Sequence, residues 1–247
     1  MKRSFIISTI FFLCAFFLIS TAAEATLTVD SVLREISYDI YEWVEYGPGE
    51  AGSELIADGY NSKRELGKFE STLSKNIEYT NVNVSQNTYI GLKDNILTLT
   101  GNGYVHSYSD YDHSTYAMSG IHIHFSIDEP YHFSLNGKIT SEPNDPYLAV
   151  VALLDDCFDN DEYYEFYEYY GNTDLDKNLI LPKGKYYFKL EIDTWTYPFS
   201  EDEIDGKFEN INLTLEPAAS APIPQSFWLL CSGSILILLY ARRQVMA

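Results

Sequence analysis

Residues 120–128 read Gly-Ile-His-Ile-His-Phe-Ser-Ile-Asp. Ile121, Ile123, Phe125 and Ile127 fall on one side of an extended chain, with His122, His124, Ser126 and Asp128 on the other. Alternation with period two marks a strand that buries one face. Asp128-Glu129-Pro130 then turns the chain. Tyr131, Phe133 and Leu135 resume an apolar row opposite His132, Ser134 and Asn136. The two runs are therefore expected to form a hairpin.

The same pattern spreads outward from this block. Tyr147 to Leu154 is nearly continuous in apolar residues and predicts a strand buried on both faces. After Pro182, Tyr186, Phe188, Leu190 and Ile192 alternate with Tyr187, Lys189, Glu191 and Asp193. Ile211, Leu213 and Leu215 alternate with Asn210, Asn212 and Thr214. Further strands are expected at Ile36 to Val44, Phe69 to Leu73, Val82 to Ile90 and Ile96 to Thr100. Ser31 to Tyr46 admits either a strand or a short helix. About ten strands broken by frequent turns predict an all-β fold, an antiparallel β-sandwich of jelly-roll type.

The chain has 36 acidic residues against 16 basic ones, a formal net charge of −20. Such a surface repels nucleic acid and anionic lipid, so no nucleic-acid partner is expected. The charge also keeps an exported protein soluble and draws cations. The cysteines are Cys14, Cys157 and Cys231. Only Cys157 falls between the two terminal segments described next, so no disulfide is expected inside the domain.

Lys2 and Arg3 precede an apolar run from Phe5 to Ile19, and Ala23-Glu24-Ala25 has the small-x-small form of a cleavage site. This is the pattern of a secretory signal peptide, read by the secretion translocon. At the other end stand Pro222-Ile223-Pro224, an apolar run from Phe227 to Ala241, and Arg242-Arg243. The run is a little short of the roughly 20 residues of a comfortable transmembrane helix, and the arginines would stay on the cytoplasmic side. The expected organisation is a signal peptide at 1–25, a sandwich at 26–216, a linker at 217–226 and a C-terminal membrane helix with a basic tail at 227–247.

Taken together, Pro222, Pro224, the small residues Ser232-Gly233-Ser234 in the apolar helix, and Arg242-Arg243 resemble the PEP-CTERM sorting signal of exported proteins in Gram-negative bacteria. Ile223 stands where that family has Glu. The resemblance implies an exosortase-type processing enzyme as partner. It also implies transient anchoring in the inner membrane through the C-terminal helix, then release to the cell surface, outer membrane or extracellular matrix. The strand order around Tyr131 to Gly137 and Leu181-Pro182-x-Gly184-x-Tyr186 is similar to sandwich domains that often precede this signal, and to small secreted sandwiches found beside peptidases. The function this implies is a non-catalytic surface or matrix protein associated with exopolysaccharide or biofilm.

Three clusters could carry chemistry. His122-x-His124 sits on one strand face with Asp128 or Glu129 following, the geometry by which a cupin holds a metal. Against that reading, the first cupin motif lacks its Gly and no histidine follows His132. The pair also shares the polar, outer face. Asp155 to Tyr170 interleaves carboxylates with rings; Tyr163, Tyr164 and Tyr167 are expected to stack on sugar faces, which would make the domain a carbohydrate-binding module. The alternative is an acidic hairpin whose tyrosines half-bury against the sandwich. Asp174-x-Asp176-x-Asn178 resembles the first half of a calcium loop, but Leu179 and Lys185 stand where an EF-hand needs Gly and Glu. No cofactor is expected, with calcium the one ion these carboxylates would favour. The motifs G-x-S-x-G, H-E-x-x-H and the P-loop are missing, so no catalytic residue is assigned.

Overall fold

The computed structural model describes residues 25–47, 50–143, 149–155, 164–198 and 201–218. They form strands β1 (Leu27–Gly47), β2 (Glu50–Lys63), β3 (Gly67–Ile77), β4 (Thr80–Lys93), β5 (Ile96–Ser109) and β6 (His113–Ile127). The chain continues through β7 (Tyr131–Glu142), β8 (Ala149–Asp155), β9 (Tyr164–Tyr170), β10 (Thr173–Leu181), β11 (Gly184–Trp195) and β12 (Asp202–Pro217). Sheet A has the order β2-β1-β6-β11-β8-β9, and sheet B the order β10-β7-β12-β5-β4-β3. Every pairing is antiparallel, and the two sheets pack as a β-sandwich. Among the described residues no helix is long and apolar enough to cross a membrane. The signal-peptide run and the tail with Pro222, Pro224, Arg242 and Arg243 lie outside the described residues.

The alternating residues meet between the sheets. Ile121, Ile123, Phe125, Phe188, Leu190 and Ile192 of sheet A are buried against Tyr131, Phe133, Leu135, Leu213 and Leu215 of sheet B. Phe133 and Phe188 touch across the interface with ring centroids 6.1 Å apart. Each such side chain contributes about 1.5–3 kcal/mol by leaving water. β8 is buried on both faces from Ala149 to Leu153, as its continuous apolar sequence predicts. Ser31 to Tyr46 is strand throughout.

The hairpin expected at Asp128-Glu129-Pro130 is not one. β6 belongs to sheet A and β7 to sheet B, so the chain folds over the core there. Period two is identical in both cases, because either turn leaves the apolar rows facing inward. The corner is closed by the residue just before β1: Asp128 N–H donates to Thr26 O at 3.2 Å, and Thr26 N–H donates to the Asp128 carboxylate. Hairpins join β1 to β2, β3 to β4, β4 to β5, and β8 to β9; every other connection passes between sheets. As a result β2 packs against β3, β6 against β5, and β11 against β12, each pair consecutive in sequence.

Two local features fix the frame. β12 bulges at Asn210, whose φ is 53° and whose N–H donates to Asn102 Oδ1 at 2.7 Å. Gly101 on β5 and Gly137 on β7 flank the bulge with φ of 153° and 151°. Arg34, on the inner face of β1, is fully buried. Its guanidinium donates to Gly67 O at 2.6 Å and to Glu65 O, and it lies 5.6 Å from the centre of the Phe69 ring. It thus ties the β2–β3 crossover to sheet A.

Candidate functional site

The outer face of sheet A holds the residues with the most chemical capacity. His122 and His124 lie there on β6, between β1 and β11. His122 is set between two carboxylates: Nε2 is 3.5 Å from Glu35 Oε1 and 3.5 Å from Glu191 Oε2. Gly120 makes room for the ring, since a Cβ there would sit 3.1 Å from Nε2. The Tyr187 hydroxyl bonds to Nδ1. Burial, with the charges of Glu191 and Glu35, pushes the Tyr187 hydroxyl up to about 12, so it stays protonated and can donate. His124 stacks on the same Tyr187 ring at 4.4 Å.

Burial raises the Glu191 carboxyl, but contact with His122 and the bond and charge of Lys189, 2.9 Å away, outweigh it and hold the group below its ordinary value. A carboxyl depressed in the folded state binds its proton more readily when unfolded. Its contribution is complete above the unfolded value of about 4.3 and is lost as pH falls through the folded value. Urea unfolding from pH 6 down to 3 should therefore show a shallower acid decline for Glu191→Gln than for the wild type. Equal slopes would remove Glu191 from the account.

The two histidines do not converge on Asp128 or Glu129 as a cupin metal set would. Asp128 is taken up at the corner with Thr26. Among the described residues the one group of three His, Cys, Asp or Glu side chains within mutual ligand reach is elsewhere, at His106, Glu203 and Asp205. Asp174, Asp176 and Asn178 occupy successive exposed positions of β10, an edge strand of sheet B, and Asn178 donates to Asp176 Oδ1 at 2.9 Å. A charged edge of this kind also hinders pairing with another chain. Tyr163 lies outside the described residues. Tyr164 and Tyr167 are on β9, opposite Leu154 and Ala152 of β8, two strands from Tyr187 and Lys189.

Sequence reading missed an aromatic platform beyond these residues. The outward row of β11 (Tyr187, Lys189, Glu191, Asp193) continues by the same period to Trp195 and Tyr197, which are 48% and 64% exposed. Tyr116 of β6 stands beside Trp195 in register, with ring centroids 5.6 Å apart; Trp195 and Tyr197 are 6.3 Å apart. The residue between the two exposed rings, Thr196, is buried and bonded three times to Thr115: its N–H donates to Thr115 O at 2.9 Å, its hydroxyl accepts from Thr115 N–H at 2.8 Å, and the two hydroxyls are 2.7 Å apart. The rings are thus mounted on a fixed backbone. Burial, then the charges of Asp193, Glu191, Asp39 and Glu35, raise the Tyr116 hydroxyl well above its ordinary value, a sign of how acidic the surroundings are.

A scan of protein-family models finds no match to the chain, and a search of curated proteins finds none similar.

Proposed function

We propose that this chain is an exported, non-catalytic β-sandwich of jelly-roll type that works at the cell surface or in the extracellular matrix by holding exopolysaccharide. The observation that carries the binding role is the Tyr116–Trp195–Tyr197 ring cluster, with Trp195 and Tyr197 exposed on a fixed backbone and Tyr116 half-buried beside them. Flat rings cover the apolar CH faces of sugars, and a preset platform loses little entropy on binding. The carboxylates around Tyr116 disfavour polyuronates, so the fitting glycan is neutral or bears amino sugars. Export rests on the signal-peptide pattern at 1–25. Delivery rests on the resemblance of Pro222, Pro224 and Arg242-Arg243 to the PEP-CTERM signal, with an exosortase-type enzyme as partner.

The test is affinity electrophoresis of the full chain through gels containing neutral, amino-sugar or uronic polysaccharide. Trp195→Ala should weaken retention about tenfold, close to 1.4 kcal/mol. Retention unchanged in Trp195→Ala but lost in Tyr164→Ala or Tyr167→Ala would move the ligand to β9. No retention by any of the three gels would overturn the binding role.

A further inference from the structure

We propose that His106, Glu203 and Asp205 bind one divalent transition-metal ion of the zinc class on the outer face of sheet B. The site is on the opposite sheet from the aromatic platform and does not depend on the glycan reading. His106 on β5 and Asp205 on β12 are direct partners in register, and Glu203 is two residues along β12 on the same face. One ligand atom from each lies within 4.8 Å of the other two. His106 Nδ1 and Asp205 Oδ1 are 2.9 Å apart. Two ligands of a tetrahedral zinc stand about 3.3 Å apart, so the pair needs little adjustment.

The donor set decides the class of ion. Calcium takes six to eight oxygens, and three side chains with one imidazole serve it poorly. An imidazole with two carboxylates suits zinc and its neighbours, and leaves one tetrahedral position for water. Asp205 also lines a groove of about 650 Å³ with Tyr104, Glu142 and Lys207. The surroundings support the ligands as a metal site requires. Tyr104 donates to Asp205 Oδ1 at 2.7 Å and fixes the carboxylate. The ligands stand on two adjacent strands inside the sheet, a firmer base than a loop.

A second, independent observation lies one strand away. Asn83 of β4 is the register partner of His106, and its side-chain oxygen is buried with no hydrogen-bond partner among the described residues. Buried acceptors are nearly always satisfied. This acceptor is on the same outer face as His106, one strand away.

The experiment is a titration of the chelator-treated full chain with cobalt(II), read by its visible absorption, and with zinc(II), read by calorimetry. One equivalent should bind. Affinity should fall at least tenfold in His106→Ala and in Glu203→Gln and stay unchanged in His122→Ala. Glu203 is exposed, so its variant keeps the fold whatever becomes of the His106 variant. Zinc should raise the melting temperature of the wild type and not of Glu203→Gln. Absence of saturable binding, wild-type affinity in both site variants, loss in His122→Ala, or displacement by an equal concentration of calcium would each overturn the proposal.

Discussion

Gly101→Val is expected to destabilise the fold severely. A Cβ at this position would lie 2.4 Å from Asn87 O and 2.7 Å from Thr88 Cα, both atoms of the neighbouring strand's own backbone or stem. Those atoms belong to the β4–β5 ladder and cannot swing aside as a side-chain tip could. The φ of 153° adds conformational strain for any residue with a Cβ. Overpacking and strain together should cost about 3–5 kcal/mol, a large part of the stability of an ordinary domain. The readout is the soluble yield and the denaturant midpoint. A Gly101→Val protein that melts within a few degrees of wild type would mean that the β12 bulge and its neighbours yield far more easily than the geometry allows.

Arg34→Ala should be nearly as damaging, by a different route. The guanidinium is out of water among Val32, Ile36 and Phe69, and burial pulls its pKa below the ordinary value. Its worth lies in the carbonyls of Gly67 and Glu65, which bend toward it at the crossover. Removing it deletes two hydrogen bonds from a charged donor, at about 1.5 kcal/mol each, and opens a cavity. A total near 3–5 kcal/mol is expected, with the 64–66 segment becoming the first site of proteolytic cleavage. Arg34→Lys should not restore stability, because one ammonium on a flexible stem does not reproduce the two-pronged contact. Full recovery by lysine would show that charge alone is what the site needs.

Much of the sandwich was legible from side-chain alternation. β6, β11 and β12 each repeat with period two, and β8 shows the unbroken apolar run of a doubly covered strand. β2 was not legible: Leu55 and Ile56 are both exposed, so its sequence has no clean inward row. β10 read as a calcium loop because Asp174, Asp176 and Asn178 are ligand types at ligand spacing; on a strand the same spacing sets them in one solvent-facing row. The fold-over at Asp128 was hidden because alternation reports which residues are inside and not which strand lies beside which.

The site was legible in part for the same reason. Trp195 and Tyr197 follow from extending the β11 alternation by two steps. His106 and Asp205 are 99 residues apart and meet only through the β5–β12 register, which nothing local encodes. His122 was correctly assigned to the outer face, but that face is not open. Glu35 and Glu191 close over the ring, and only pairing with β1 and β11 reveals it.

The place of β12 in sheet B has a mechanical consequence. The last described strand is an inner one, bonded along its length to β5 on one side and β7 on the other. Tension applied to the chain beyond Pro217 runs along this strand, so its two ladders are sheared together and cannot be peeled apart one bond at a time. Every hydrogen bond on both flanks resists at once, with the Asn210 bulge interlocked between Gly101 and Gly137 as a catch against sliding. A domain pulled from its C-terminal side therefore resists extension at its strongest seam, while the edge strands β2, β3, β9 and β10 bear none of that force directly.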